Sequence, residues 1–315
     1  MRKMNKKISQ MFLMVCDVAL IIIYTLLFHL SLPMASSSVV YVPKGSIGSI
    51  ITYMVQKNFD LVEKTDKYLL WFIGQPQSGW VSIEPKILTR GDFLYKVCNS
   101  KAALQTITLI PGETKELFLV NIALTFNLSY EKLMAEYAAA TPYVDGFLVP
   151  ETYYIPVGMN EKQLIHFLVA NAKKYHKEVY EKIFGEFNES KWHKFIVIAS
   201  IIQKEAANVE EMPLVSSVIY NRLKKEMKLQ MDGTLNYGEY SHTKVTPARI
   251  KEDTSTYNTY MHKGLPPHAI GSVSKEAIFA AIYPKQTNYL YFVKNKNGTH
   301  NFTQSYETHL ENIRN

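Results

Sequence analysis

The sequence predicts an α+β chain: an N-terminal transmembrane helix, a small α+β module, and a larger, mainly helical part closed by a β-hairpin. Three observations predict it. Residues 11–30 are almost unbroken apolar. Strand-like runs ended by Pro/Gly turns and helix caps follow over residues 39–105. From Thr106 onward helical spacing dominates, until the alternating run "YLYFVKNKNGTHNFT" near the C-terminus.

The first segment is explained by length and charge. "MRKMNKKISQ" carries Arg2, Lys3, Lys6 and Lys7, and Met11 to Leu30 is apolar apart from Asp17, His29 and a few hydroxyls. About 20 apolar residues in a helix cross a hydrocarbon core of roughly 30 Å. We therefore expect a cytoplasmic basic tail (1–10), a transmembrane helix (11–31) and a polar tether (32–38). The positive-inside rule then puts the rest of the chain outside the cytoplasm, anchored in the inner membrane by a single pass. A cleaved signal peptide is the alternative, since "PMASSS" offers small residues after the apolar run, but signal cores span only about 7 to 15 residues.

Composition narrows the function classes. The 315 residues are 47% hydrophobic and 20% charged, the profile of a folded protein long enough for two domains. The net charge of +7 falls once residues 1–30 are set aside, leaving 31 cations against 27 anions. Such a mild surplus on an exported chain gives no reason to expect a nucleic-acid partner. Of the two cysteines, Cys16 lies in the apolar segment, so Cys98 has no exported partner and no intrachain disulfide is expected. The nine histidines are scattered without His-Glu-x-x-His spacing, and "GSIG" lacks the lysine of a phosphate loop. Neither a metal nor a cofactor is expected.

In the module of residues 39–105, "VVYV" reads as a strand stopped by Pro43 and Gly45. Ser46 then caps a helix with Ile47, Ile50, Ile51, Met54 and Val55 on one face. "RGDFLYKVCNSK" reads as a strand entering a helix. The strand, turn and helix grammar recurs at "TITLIPGETKELFLV", with Thr114 as a candidate cap. Such units occur in modules that lie along polysaccharides and equally in plain α+β packing.

Over residues 106–315, "SYEKLMAEYAAA" gives a helix capped by Ser129, residues 161–184 and 192–207 are helices by periodicity, and another starts at Pro213. "DGFLVPETYYIPVG" is a punctuated loop. The hairpin turns at Asn297-Gly298, and "SYETHLENIRN" is a last helix.

The helix "KFIVIASIIQKEA" is apolar all round and ends in a carboxylate. Positions three, four and seven before Glu205 are Ile202, Ile201 and Ile198, so the acid shares its stripe with three isoleucines. Two readings stand on this helix alone. In one, Glu205 marks the point where the helix emerges into solvent, loosely paired with Lys204 or Lys194; Lys204 reads as a solvated flank. In the other it points into protein, where burial and the negative helix end keep it protonated near neutral pH and able to donate to a leaving oxygen.

"ASIIQKEA", "VIYNRLKKEMKLQMDGTLNYG", "YNTYMHKGLPP" and "YLYFVKNKNGTHNF" follow one another over residues 199–302, after "DGFLVPETY" and an N-terminal anchor. In that order they resemble the endolytic murein transglycosylases of the YceG-like family, over nearly the whole exported chain. The resemblance implies a LysM-like module (39–105) before a lysozyme-like catalytic domain (106–315). It implies cleavage of nascent peptidoglycan glycan strands to 1,6-anhydromuramyl ends, beside peptidoglycan synthases as partners. It makes Glu205 the catalytic acid and places Gln230, Asp232, Asn258, Tyr260 and His300 as substrate-binding positions. Each of these five also has a plain reading, as turn chemistry or a hydrogen-bonded structural histidine. The sequence departs from the family pattern at Gly233, where proline is commoner, at Thr256 within a longer "DTSTYNTY", and at His268 and Ser272-Val273-Ser274. Two other functions remain open: a hydrolytic muramidase with Asp232 or another carboxylate activating water, and a non-catalytic wall-binding scaffold.

Overall fold

The computed structural model describes residues 2–37, 39–83 and 87–314. The side chains of the first six residues, with Arg2, Lys3 and Lys6 of the expected basic tail, lie outside the described ones, as does Ser38 of the expected tether. The chain divides into two compact units: Met1–Gln105 with Pro156–Gly158, and Thr106–Ile155 with Met159–Asn315.

The first unit begins with α1 (Arg2–Ser31). Its stretch Lys7–Ser31 is long and apolar enough to cross a membrane, with mean hydropathy 2.5. At 1.5 Å per residue it spans roughly 37 Å, more than a hydrocarbon core. The last turn of α1 is fastened to the folded module. His29 Nε2 lies 2.7 Å from Asp66 Oδ1 in α3 (Glu63–Ile73), and Arg90 Nη1 lies 2.9 Å from His29 Nδ1. Asp66 is fully buried, so its charge requires such partners.

The expected tether is not a free linker. Pro33–Ala35 forms β1, paired antiparallel with β4 (Ile87–Thr89), because Met34 is apolar and buries itself in the module. β2 (Val39–Val42) pairs with β3 (Gly79–Ser82), setting Val40 opposite Val81. Helices α2 (Ile47–Gln56), α3 and α4 (Arg90–Asn99) cover these pairs with Ile50, Ile51, Met54, Leu70, Phe93 and Leu94. Ser46 caps α2 by accepting from Ser49 N, and Thr89 and Asp92 form a capping box on α4. Cys16 and Cys98 are both free.

β5 (Leu104–Thr108) leads into the second unit, where it pairs with β6 (Thr152–Pro156). Helices α5 (Lys115–Phe126), α6 (Tyr130–Ala140) and α7 (Glu161–Phe184) close over them on a core of Phe118, Leu119, Ile122, Leu133 and Leu164. Thr114 stands at the α5 N-cap position, but its hydroxyl donates to Gly238 O. The cap comes from Asp145, whose two carboxylate oxygens accept from Lys115 N at 3.2 and 3.1 Å. Ser129 caps α6 as local sequence predicts, and Asn160 caps α7 in a capping box with Gln163.

A second core surrounds α8 (Glu189–Glu205). It packs against α9 (Met212–Lys224) and α11 (Lys275–Ile282), with the short α10 (Pro247–Glu252) between them in sequence. α8 starts three residues before the expected 192 because Asn188 accepts from Lys191 N, and it ends at Glu205 because Ala206 is extended. β7 (Tyr291–Lys294) and β8 (His300–Thr303) form the predicted hairpin, Lys294 opposite His300, with Gly298 at φ 84 in the turn. α12 (Tyr306–Arg314) packs on both strands.

Candidate active site

α8 delivers Glu205 at its last helical position. Ile198, Ile201 and Ile202 on the same stripe are buried, as periodicity requires, so the helix end is fixed by packing. The carboxylate opens into a cavity of about 430 Å³ that Gln230, Asp232 and Tyr260 also line, together with Arg222, Tyr291 and Phe292.

The wall facing Glu205 is the turn at residues 230–235. Gln230 takes φ 51 to enter it, and Asp232–Leu235 is a single 3₁₀ turn. Gly233 N donates to Glu205 Oε1 at 2.7 Å. A Cβ on Gly233 would sit 2.9 Å from that same oxygen and 2.9 Å from Lys204 Cβ, so a side chain here would force the Glu205 carboxylate or the end of α8 to shift. Lys204 is not a solvated flank. It is partly buried, with Nζ donating to Asn236 O at 2.7 Å and Ser241 Oγ at 3.1 Å, because the turn folds back over the end of α8 and offers it a carbonyl.

The turn is stitched to the loop at residues 253–262. Gln230 N donates to Thr259 O and Met231 N to Thr259 Oγ1, at 3.2 and 3.1 Å. Tyr260 OH donates to Asp232 Oδ1 at 2.5 Å. Asn258 is fully buried beneath: its Nδ2 donates to Ile250 O and Asp253 O, and its Oδ1 accepts from Tyr260 N. It shapes the loop that carries Tyr260 and does not line the cavity.

His300 is also placed elsewhere. Its backbone N donates to Glu211 Oε1 and its Nδ1 lies against Glu211 Oε2, both at 2.7 Å, tying β8 to the α8–α9 connection. Of the six residues singled out in the sequence, four share one cavity and two support its walls. Arg222, Tyr291 and Phe292 were missed. Arg222 stands inside the quoted "VIYNRL", but nothing local tells that it reaches the same cavity.

Burial raises the Glu205 pKa from 4.5 to about 7; the Gly233 N–H opposes that shift, the Asp232 charge adds to it and the Arg222 cation opposes it. Burial and the hydrogen bond to Asp232 push the Tyr260 phenol well above its ordinary value, so it stays a donor. With its pKa near 7, Glu205 keeps a proton in a substantial share of molecules up to neutral pH, beside the Asp232 carboxyl group, as general acid chemistry needs. Among the described residues no group of three or more His, Cys, Asp or Glu is placed to hold a metal ion. A larger groove, about 630 Å³ beside Glu151, Lys174 and Glu276, contains none of Glu205, Gln230, Asp232 and Tyr260.

The profile of the YceG-like family matches residues 40–315, which includes every residue of this cavity. The chain belongs to the YceG-like family. Among curated proteins, this YceG-like chain is 34% identical over 168 residues to an endolytic murein transglycosylase of Bacillus subtilis (strain 168), covering 53% of the chain and 46% of that protein. It is 27% identical over 230 residues to the endolytic murein transglycosylase of Streptococcus pneumoniae serotype 2, covering 71% of the chain and 40% of that protein. The matched stretches thus span under half the length of these relatives. A crystal structure of a yceG-like protein from Listeria monocytogenes superposes with a TM-score of 0.57 at 25% identity, over 87% of this chain and 97% of that one. The YceG-like fold is therefore shared over most of the chain, a mixture of helix and strand; this chain carries in addition an N-terminal helix, apolar and long enough to cross a membrane.

Proposed function

We propose that this chain is a membrane-anchored lytic transglycosylase that cuts peptidoglycan glycan strands internally between MurNAc and GlcNAc, ending glycan elongation. The observation that carries the reading is Glu205, a carboxyl held protonated near neutral pH in a cavity beside Asp232. The similarity to the endolytic murein transglycosylases of Bacillus subtilis and Streptococcus pneumoniae supports it.

Glu205 donates its proton to the glycosidic oxygen as the C1–O bond breaks, and positive charge develops at C1. The resulting carboxylate then takes the proton of the 6-hydroxyl of the same muramic residue as O6 closes onto C1, giving a 1,6-anhydro end. Atoms balance without water, and the nucleophile is intramolecular, so one catalytic carboxyl suffices. Asp232 supplies negative charge near the developing cation, with Tyr260 fixing its rotamer; Gln230 offers an amide to the sugar. Asn258 and His300 serve by holding the Tyr260 loop and the β8 edge.

In the same reading α1 spans the inner membrane with its N-terminus cytoplasmic, and everything after Ser31 lies outside. Residues 39–105 act as a LysM-like module that lies along glycan, and 106–315 as a lysozyme-like catalytic domain. Synthases that extend the same strands are the fitting partners.

Asp232 favours one rival, a muramidase in which it activates water. Mass spectrometry of fragments released from intact sacculi separates the two. We expect 1,6-anhydromuramyl ends from the wild type and none from Glu205→Gln; reducing muramic ends would establish the muramidase. Glycan binding with no cleavage by the wild type would leave only the scaffold.

A further inference from the structure

We infer that Arg222 is a positioning residue that joins the two walls of the Glu205 cavity and holds a fixed cation beside its carboxylate; the inference deepens the proposed reaction and rests on it. Arg222 is 7% exposed, near the C-terminal end of α9. Its Nε donates to Leu290 O at 2.6 Å, immediately before β7. Its Nη1 donates to Leu229 O at 2.6 Å and Lys228 O at 3.2 Å, immediately before the turn that carries Gln230 and Asp232. One side chain thus ties the wall of Gln230 and Asp232 to the wall of Tyr291. Nη2 makes no hydrogen bond among the described residues, and the guanidinium carbon stands 5.1 Å from the centre of the Tyr291 ring.

The neighbouring residue extends the clamp. Asn221 Nδ2 donates to Thr287 O and Tyr289 O, both at 2.9 Å. The Asn-Arg pair therefore holds alternate and adjacent carbonyls of residues 287–290, a job that needs a planar, multi-donor fork at the second position. Lysine cannot reproduce it: an ammonium is a compact charge on a flexible stem, whereas guanidinium fixes its donors in one plane. Carbonyl acceptors leave the full positive charge in place, and that charge meets Glu205 and Asp232 in the cavity they share. The other titratable groups facing this space are Tyr260 from the loop, Tyr291 from β7, and Tyr306 and His309 from α12. Only Arg222 among the described lining residues carries a permanent cation.

The consequence falls on the second half of the reaction. Once Glu205 has given up its proton, a carboxylate stands in a desolvated site beside Asp232, and Arg222 adds its cation to the Gly233 N–H in stabilising it there. The clamp matters equally in both halves, because displacing reacting groups by about 1 Å costs on the order of 100-fold in rate.

Full-length Arg222→Met and Arg222→Lys test this, with two readouts. In ¹³C NMR titration of labelled carboxyl groups, the Glu205 midpoint should move upward in Arg222→Met and stay near wild type in Arg222→Lys. In glycan cleavage, both variants should lose about 10- to 100-fold in kcat, since neither keeps the three carbonyl bonds, with KM changed less than about threefold. An unmoved midpoint in Arg222→Met overturns the electrostatic role. A kcat within about threefold of wild type in both variants overturns the clamp. If Arg222→Met fails to fold, Arg222→Lys still judges the clamp, and Arg222→Gln titrated in its place judges the charge. If wild type yields no anhydro ends, the reaction is misassigned, while the NMR midpoint still decides whether Arg222 acts on Glu205.

Discussion

At the scale of single residues, one carboxyl oxygen is answered by one backbone N–H. Glu205 Oε1 and Gly233 N meet at 2.7 Å, and burial leaves the acid with a pKa of about 7. Glu205→Gln should lose roughly 10²- to 10⁴-fold in glycan cleavage, and wild-type activity should fall as pH rises through about 7. Because the folded state binds this proton more tightly than the unfolded chain, wild type loses stability relative to Glu205→Gln as pH rises from 4.5 to about 7. Thermal melts of both proteins across that range check the sign; parallel curves would mean the carboxyl is solvated. Gly233→Ala places a methyl 2.9 Å from Glu205 Oε1, so it should cut kcat at least tenfold while the fold survives. A fully active Gly233→Ala enzyme would show that the turn is free to recede.

At the scale of elements, α8 sets the acid and the 230–235 turn sets what faces it. Lys204 binds the two by donating to Asn236 O and Ser241 Oγ. We expect Lys204→Met to raise amide hydrogen exchange across residues 232–241 while leaving α9 protected, read by mass spectrometry. Ile201, fully buried on the stripe that ends at Glu205, should cost about 2 to 5 kcal/mol when changed to alanine, measured by chemical denaturation. The Glu211–His300 pair fixes β8 to the α8–α9 connection. Burial alone would raise the Glu211 pKa, but its hydrogen bonds from His300 and Ala207 outweigh that and hold it below the ordinary value. Its stabilisation is therefore present above pH 4.5 and lost as pH falls below it, so Glu211→Gln should be less stable than wild type at pH 7, with the gap closing in acid.

At the scale of the whole molecule, an apolar helix of membrane-spanning length ends in a residue pair with the buried interior of the first unit. His29 and Arg90 on Asp66 leave no flexible stretch between the end of α1 and that unit. Full-length protein should stay in membranes through an alkaline wash, and protease added outside spheroplasts should digest the chain beyond residue 31. Release by the wash would count against a spanning helix; a mature chain beginning after residue 31 would mean a cleaved signal instead.

Much of this was legible before the fold. Apolar spacing marked α8 and the stripe beneath Glu205, caps at Ser46, Ser129 and Asn-Gly chemistry at the hairpin marked element ends, and length marked α1. Local signals failed where the partner is distant. Thr114 has the right type and place for a cap, yet Asp145, thirty-one positions away, does that work. The 32–38 stretch reads as polar, yet Met34 supplies enough apolar surface to draw a strand into the module.

The sequence by itself determined α1 and most of the longer helices, though not α3, α10 or α11, that Glu205 ends an oily one, and, through four motifs in order, the family. Only the tertiary structure decided that Gly233 reaches Glu205 across 28 positions, that Arg222 spans from α9 to Leu290 across 68, and that Asn258 and His300 hold walls and do not line the cavity. Periodicity follows from backbone geometry and so is written locally; the proton affinity of a carboxyl follows from what surrounds it, and those neighbours are assembled only when distant segments pack.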